Sequence, residues 1–201
     1  MRGVVMSTRE RILAGARELF NAEGYGQASA VDVASALGMS PGHLYYHFKG
    51  KAEIAAVLLE QCEAELREVS EAARAAAAAP GFDLETLWTH VRILMVEAAE
   101  AAFFHREAGA LVRTSPAFKR WRRRVSAALH DLCAALLGAI PGNHALGARP
   151  DLRDGAAAML ARAILDLPTQ LELEGDPGPP RATLARAAAQ AMLPVAALLT
   201  A

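Results

Sequence analysis

The segment Ser40-Pro41-Gly42-His43-Leu44-Tyr45-Tyr46-His47-Phe48, reached through Leu37-Gly38-Met39, constrains this chain more than any other stretch. Ser is a strong helix cap, and Pro at the first helical position loses nothing because that N–H has no intrahelical partner. Gly38 supplies the positive φ that a tight turn between two short helices requires. Ser40 then opens a helix of about two turns carrying two Tyr and two His. Aromatic and imidazole groups crowded onto so short a helix suit a core poorly. They suit a surface that meets something flat and hydrogen-bonding. The arrangement predicts a helix-turn-helix whose second helix points at the DNA major groove.

The rest of the chain is written for helix. Hydrophobic residues make up 53% of the 201 positions, which excludes a disordered chain. Much of that fraction is Ala, the strongest helix former, and aromatic residues are only 5%, so sheet is disfavoured. The net charge of −1 argues against binding nucleic acid through bulk positive charge. The charge is uneven, however: residues 1–51 carry six Lys/Arg against four acids, leaving +2 there and −3 in the remainder. Cys62 and Cys133 are the two cysteines, with no CxxC or Cys/His ligand spacing. A reduced, cytoplasmic protein is expected. No stretch reaches the roughly 18 apolar residues that span a bilayer, and no signal-peptide run opens the chain, so no membrane partner is expected.

Apolar periodicity and caps set out the elements. Ser7 or Thr8 caps a first helix with a stripe of Ile12, Ala16, Leu19 and Phe20, closed by Gly24 in an αL-type cap. Ser29 caps a second helix, with Asp32 as the acid of a capping box and Val33, Ala34 and Leu37 facing inward. A long helix runs from Lys51 to about Ala79. Asp83 caps the next, through Leu87, Trp88, Val91, Leu94 and Met95, and Gly109 and Ser115-Pro116 punctuate the segment after it. Pro116 opens a further helix, and residues 141–150 read as a Gly/Pro/Asn loop. A helix from about Asp151 to Leu173 should bend or break near Pro168. Gly175 to Pro180 form a stiff loop, and a last helix covers about Arg181 to Leu199 with a kink at Pro194. The inner stripes of these two helices are Ala156, Met159, Leu160, Ala163, Ile164 and Leu167, then Leu184, Ala188, Ala191, Val195 and Leu198. Much of their reverse face is also apolar, which predicts burial on a second side, most simply against a twin subunit.

These residues resemble the tetracycline-repressor (TetR) family of transcription regulators. The matching pieces include Thr8 to Leu13, Ala16, Leu19-Phe20, Gly24-Tyr25, Val31 to Ala34, Leu37 to Ser40, Gly42, Leu44 to Phe48, Lys51 and Ile54. The match covers the first 55 residues, about a quarter of the chain. The resemblance implies an all-α fold with a helix-turn-helix head at residues 1–50 and a ligand-binding and dimerisation body at 51–201. It implies a homodimer through the last two helices, a palindromic double-stranded DNA operator, and repression relieved by a small-molecule effector. By residue match, Gly42, His43, Tyr45, Tyr46 and His47 fall on recognition-helix positions that touch bases and phosphates. Lys51 falls on a phosphate contact at the start of the fourth helix, and Ser29 at the start of the second. Ala28, Ala30 and Val31 depart from the family pattern, and Val31 puts an apolar side chain where a polar one can reach DNA.

The chemistry of each candidate has a plainer alternative beside it. Tyr45 and Tyr46 offer phenol donors to phosphate and ring faces to thymine methyls, and His43 can donate or accept at a base edge. One Tyr and Phe48 are alternatively head core. Ser29 and Ser40 bring helix N-termini to phosphates, or act as caps alone. In the body, Trp88, Val91, Met95, Phe103, Phe104, Trp121, Leu129 and Cys133 make an apolar cluster that is either a ligand pocket or ordinary core. Glu97 and Arg122 are its polar anchors, with His90 and His105 nearby in sequence. The basic run Lys119-Arg120-Trp121-Arg122-Arg123-Arg124 is a solvated helix face, or a means of steering an anionic ligand. His43 and His47 are four apart but lack the acid of HExxH, so no metal is assigned, and no cofactor or catalytic motif is found. A ligand-dependent activator or corepressor-type regulator, and a helical enzyme using the body pocket, are the rival readings.

Overall fold

The computed structural model describes residues 6–142, 145–174 and 180–200, and every regular element among them is helical. Three short helices come first: α1 (Thr8–Glu23), α2 (Ala30–Ala36) and α3 (Pro41–His47). Each begins where a side chain replaces the missing turn. Ser7 and Glu10 close a reciprocal capping box on α1, Ser29 and Asp32 do so on α2, and Ser40 accepts from the His43 N–H on α3. Gly38, at φ +64°, makes the turn between α2 and α3. Gly15 lets α1 approach that turn, because a Cβ there would stand 2.7 Å from Leu37 Cδ2. Gly24 ends α1 at φ 89° and ψ 143°, a positive-φ conformation outside the αL well that the sequence suggested.

The fourth helix, α4 (Lys51–Ala78), starts against this trio and leaves it. Its first turn has no side-chain N-cap. The Glu53 carboxylate instead takes the Lys49 N–H at 2.6 Å. Ile54, Ala55 and Leu58 are buried and join Ile12, Ala16, Phe20, Val33, Leu44 and Phe48 in the core.

The remaining helices are α5 (Leu84–Glu100), α6 (Ala102–Arg106), α7 (Ala108–Thr114), α8 (Pro116–Ala139), α9 (Ala145–Ala148), α10 (Pro150–Glu174) and α11 (Pro180–Thr200). α10 is the hub, packed on α8, α5, α6 and α11, while α4 lies against α8 and α5. Asp83 caps α5 by accepting from the Thr86 N–H and hydroxyl, and Ser115 caps α8.

Three expectations need correction. Of the bend or break expected at Pro168, the break does not occur: α10 is continuous through it. Proline removes one hydrogen bond and crowds the carbonyl four residues earlier, but burial of Ile164, Leu165 and Leu167 against neighbouring helices holds the segment helical. The loop at 141–150 contains α9, nucleated by the fully buried Leu146. Between Ala101 and Ser115 lie two short helices, α6 and α7, that the punctuation at Gly109 did not distinguish. The loop at Gly175 to Pro179 and the first five residues lie outside the described residues. The inner stripes of α10 and α11 face inward as expected: Ala156, Leu160, Ile164, Leu167, Leu184, Ala188 and Val195 are all buried.

Candidate nucleic-acid interface

Helix α3 is anchored by one side and displayed by the other. Leu44 and Phe48, four residues apart, are 0% and 1% exposed and lock it into the core. The opposite face carries His43, Tyr45, Tyr46 and His47. Tyr46 is 85% exposed and Tyr45 48%, so neither phenol belongs to the core. Their neighbours are each other: His43 and His47 rings lie 5.4 Å apart, and Tyr46 meets His47 edge-on at 5.2 Å. A row of exposed rings over a locked reverse side is costly in water unless something covers it.

The far end of α3 is fastened by a residue that no sequence motif singles out. Arg9 donates to the His47 carbonyl at 3.2 Å, and its guanidinium lies 4.3 Å over the Phe48 ring. A cation on a helix C-terminal carbonyl is favourable both as a hydrogen bond and through the helix dipole. Arg9 sits in the first turn of α1, 38 residues away, and no local pattern links it to α3.

The other expected site residues sit around this face. Ser29 N–H and hydroxyl both donate to Asp32 Oδ2, at 2.8 and 2.7 Å, which holds the Asp32 carboxyl below its usual range. Ala28 and Ala30 are buried, whereas Val31 is exposed. Ser40 and Gly42 are exposed at the start of α3, and nothing stands near Gly42. Lys51 is half-buried. Its ammonium donates to the Tyr25 carbonyl at 2.7 Å and sits 4.5 Å over the Tyr25 ring, so it ties α4 to the loop between α1 and α2.

A model of bacterial regulatory proteins of the TetR family matches residues 12–58, the helices just described. Over 65 residues the chain is 42% identical to the HTH-type transcriptional regulator UidR of Escherichia coli (strain K12). The helix-turn-helix head is similar in sequence to that of the TetR family. The aligned part spans 32% of this chain and 33% of UidR, about a third of each. Solved structures extend the likeness of fold to the whole molecule. A TetR-family transcriptional regulator from Marinobacter aquaeolei VT8 has a TM-score of 0.69 at 23% identity, over 96% of this chain and 92% of its own. The ketosteroid transcriptional regulator KstR2 of Mycobacterium tuberculosis has a TM-score of 0.61 at 22% identity, over 98% and 96%.

Helices α1 to α3 are joined to the rest of the chain in part through the segment around α6. Asn21 donates from Nδ2 to the Glu100 carbonyl at 2.9 Å and accepts at Oδ1 from the Phe103 N–H at 3.0 Å. Arg106 donates to the Asn21 carbonyl, and the Glu107 carboxylate takes the Gly26 N–H at 2.9 and 3.1 Å. Phe103 packs against Phe20 and Tyr25 of the head. A second bolt joins α1 to α4, where Arg17 forks onto Glu65. Asn21, Arg106 and Glu107 partner residues about 80 positions away, so sequence spacing carried no sign of them.

The remaining helices form a partly open cavity of about 20 Å³ among α4, α5, α6, α8 and α10. That is room for about one water molecule. Of the eight apolar residues proposed from sequence, Trp121 and Leu129 line it. Val91, Met95, Phe103, Phe104 and Cys133 are buried in the surrounding core, with the Phe103 and Phe104 rings 4.0 Å apart. Trp88 lines an apolar groove elsewhere, between α5 and α11. Cys62, which lines the cavity, and Cys133 have thiols pushed up to about 12 by burial, so neither is a ready nucleophile. His105 lines it too. Its Nδ1 lies 2.7 Å from the Arg122 guanidinium, and burial first, then that cation, push its pKa down to about 3. It is therefore a neutral imidazole with Nδ1 accepting. Arg122 reaches on to Asp166 at 3.3 Å.

Proposed function

We propose that this chain is a homodimeric DNA-binding transcription regulator that represses from a palindromic operator and is released by a small molecule. The exposed His43, Tyr45 and Tyr46, with the half-buried His47, over the locked pair Leu44 and Phe48 carry the reading. Those four side chains, with Gly42, enter the major groove. Ser29, Ser40 and Lys51 bring helix N-termini and one ammonium toward phosphates. Residues 1–50 act as the head and 51–201 as the body.

The second copy docks through α10 and α11. Leu173 and Leu193 stand 82% and 68% exposed on these helices, and a monomer leaves such groups in water at a cost. Two heads held at fixed separation then read half-sites about one or more helical turns apart, roughly 34–36 Å per turn.

An effector in the body cavity acts through α6 and Glu65, which touch both the cavity region and the head. A ligand shifts the balance between states only by its difference in affinity for them. The 20 Å³ cavity is far below the roughly 300–1,000 Å³ of drug-sized sites. Binding therefore requires the walls to part, and the parted state is the released one. A gel-shift titration with the DNA upstream of the chain's own gene tests the reading. A shift abolished by Tyr46→Ala while the dimer persists in light scattering is the expected result. Loss of the dimer on that change would refute the surface assignment.

A further inference from the structure

The charges around the body cavity are one-sided. Two carboxylates, Glu65 and Glu97, line it, and no Lys or Arg does. Glu65 is taken by Arg17. Glu97, on α5, makes no hydrogen bond or ion pair among the described residues. The carboxylates of Glu65, Glu100 and Glu68 act on it, and Arg17 opposes them in part. Burial first, and then those like charges, raise its pKa, so its negative charge is poorly compensated in the fold and a cation beside it would relieve the strain.

Trp121 on the same cavity is 4% exposed, and its indole Nε1–H has no acceptor. A buried donor without a partner costs about 1–3 kcal/mol, so the site is one acceptor short. The rest of the lining, among it Leu66, Leu94, Val125 and Leu129, is apolar. An anionic ligand would meet Glu97 with no Lys or Arg in the lining to offset it. Arg122, hydrogen-bonded to His105, is committed to Asp166.

Resting on the effector-responsive reading above, we propose that the effector is an apolar cation, an amine or quaternary ammonium, whose charge faces Glu97 and whose hydrogen-bond acceptor, where it has one, meets the Trp121 N–H. Such a cation also competes with Arg17 for Glu65. Occupancy thereby loosens the α1–α4 bolt that holds the head.

The test uses the full chain and three probes of one alkyl length: decyltrimethylammonium, decanol and decanoate, each below its micelle concentration. Calorimetric titration is expected to give the ammonium at least about tenfold tighter binding than either other probe, a gap of about 1.4 kcal/mol. Glu97→Gln should erase that preference and leave decanol affinity unchanged. Decanoate binding as tightly as the ammonium, undiminished ammonium binding in the variant, or no binding of any probe would each overturn the proposal. The three-probe comparison on the native chain decides the case even if Glu97→Gln fails to fold. A gel shift on the same preparation keeps the two readings apart. A shift without ammonium binding refutes the effector class alone, and the absence of any shift refutes the regulator reading.

Discussion

Arg17 and Glu65 meet as a two-pronged pair, at 3.1 and 3.3 Å, across the junction of α1 and α4. Arg17 belongs to the helix that carries the α3 anchor Arg9. Glu65 lines the body cavity. One ion pair thus touches both the first helix and the cavity.

Because the Glu65 side chain is 41% exposed, water screens much of the attraction. Glu65→Gln is therefore expected to lower stability by no more than about 1 kcal/mol. Its effect on DNA should be larger than its effect on melting, since the head is freed without being unfolded. Chemical denaturation together with a gel shift checks both. Unchanged operator affinity in the variant would count against Glu65 as a coupling point.

Tyr46→Ala and Leu44→Ala should separate surface from core within one helix. The exposed Tyr46 predicts a change in folding stability within about 0.5 kcal/mol but loss of operator binding. The fully buried Leu44 predicts a cost of about 2–5 kcal/mol. Equal melting losses in the two variants would mean that Tyr46 packs.

Phosphate contacts release counterions, so operator affinity should fall steeply with salt. Six to ten contacts predict a loss of about 10³–10⁵ between 50 and 200 mM. A filter-binding series gives the slope directly, and a flat one would contradict groove binding by the head.

His105 gives the fold an acid dependence of definite sign. Its folded pKa, about 3, lies below the unfolded value of about 6.5, so the unfolded chain takes up the proton first. The contribution is fully present above pH 6.5 and is lost as pH falls from there toward 3. The slope approaches about 1.4 kcal/mol per pH unit. His105→Gln should flatten this part of the profile relative to the parent in denaturation at pH 7, 6, 5 and 4. Parallel profiles would show that His105 is protonated in the fold without penalty.

The head was legible because its determinants are local. A cap lies three residues from the N–H it serves, and Gly38 acts within its own turn, so Ser7, Ser29, Ser40 and Asp83 located four helix starts without tertiary information. The inward stripes of α10 and α11 came from helical spacing for the same reason. The helix does not break at Pro168 because the local penalty is outweighed by packing against helices distant in sequence. α9 was missed because it is only four residues long, with Leu146 its one buried residue, too short for a periodic pattern.

The amino-acid order alone thus determined the helical class, the helix-turn-helix and the face of α3 that carries Tyr and His, since each depends on interactions within a few residues. Only the tertiary structure decided which body aromatics line a cavity and which merely fill space. Only it joined Arg9 to His47, Asn21 to Phe103, Glu107 to Gly26 and Arg17 to Glu65. Those contacts close loops of 38 to 82 residues, and side-chain periodicity holds no information about partners at that range.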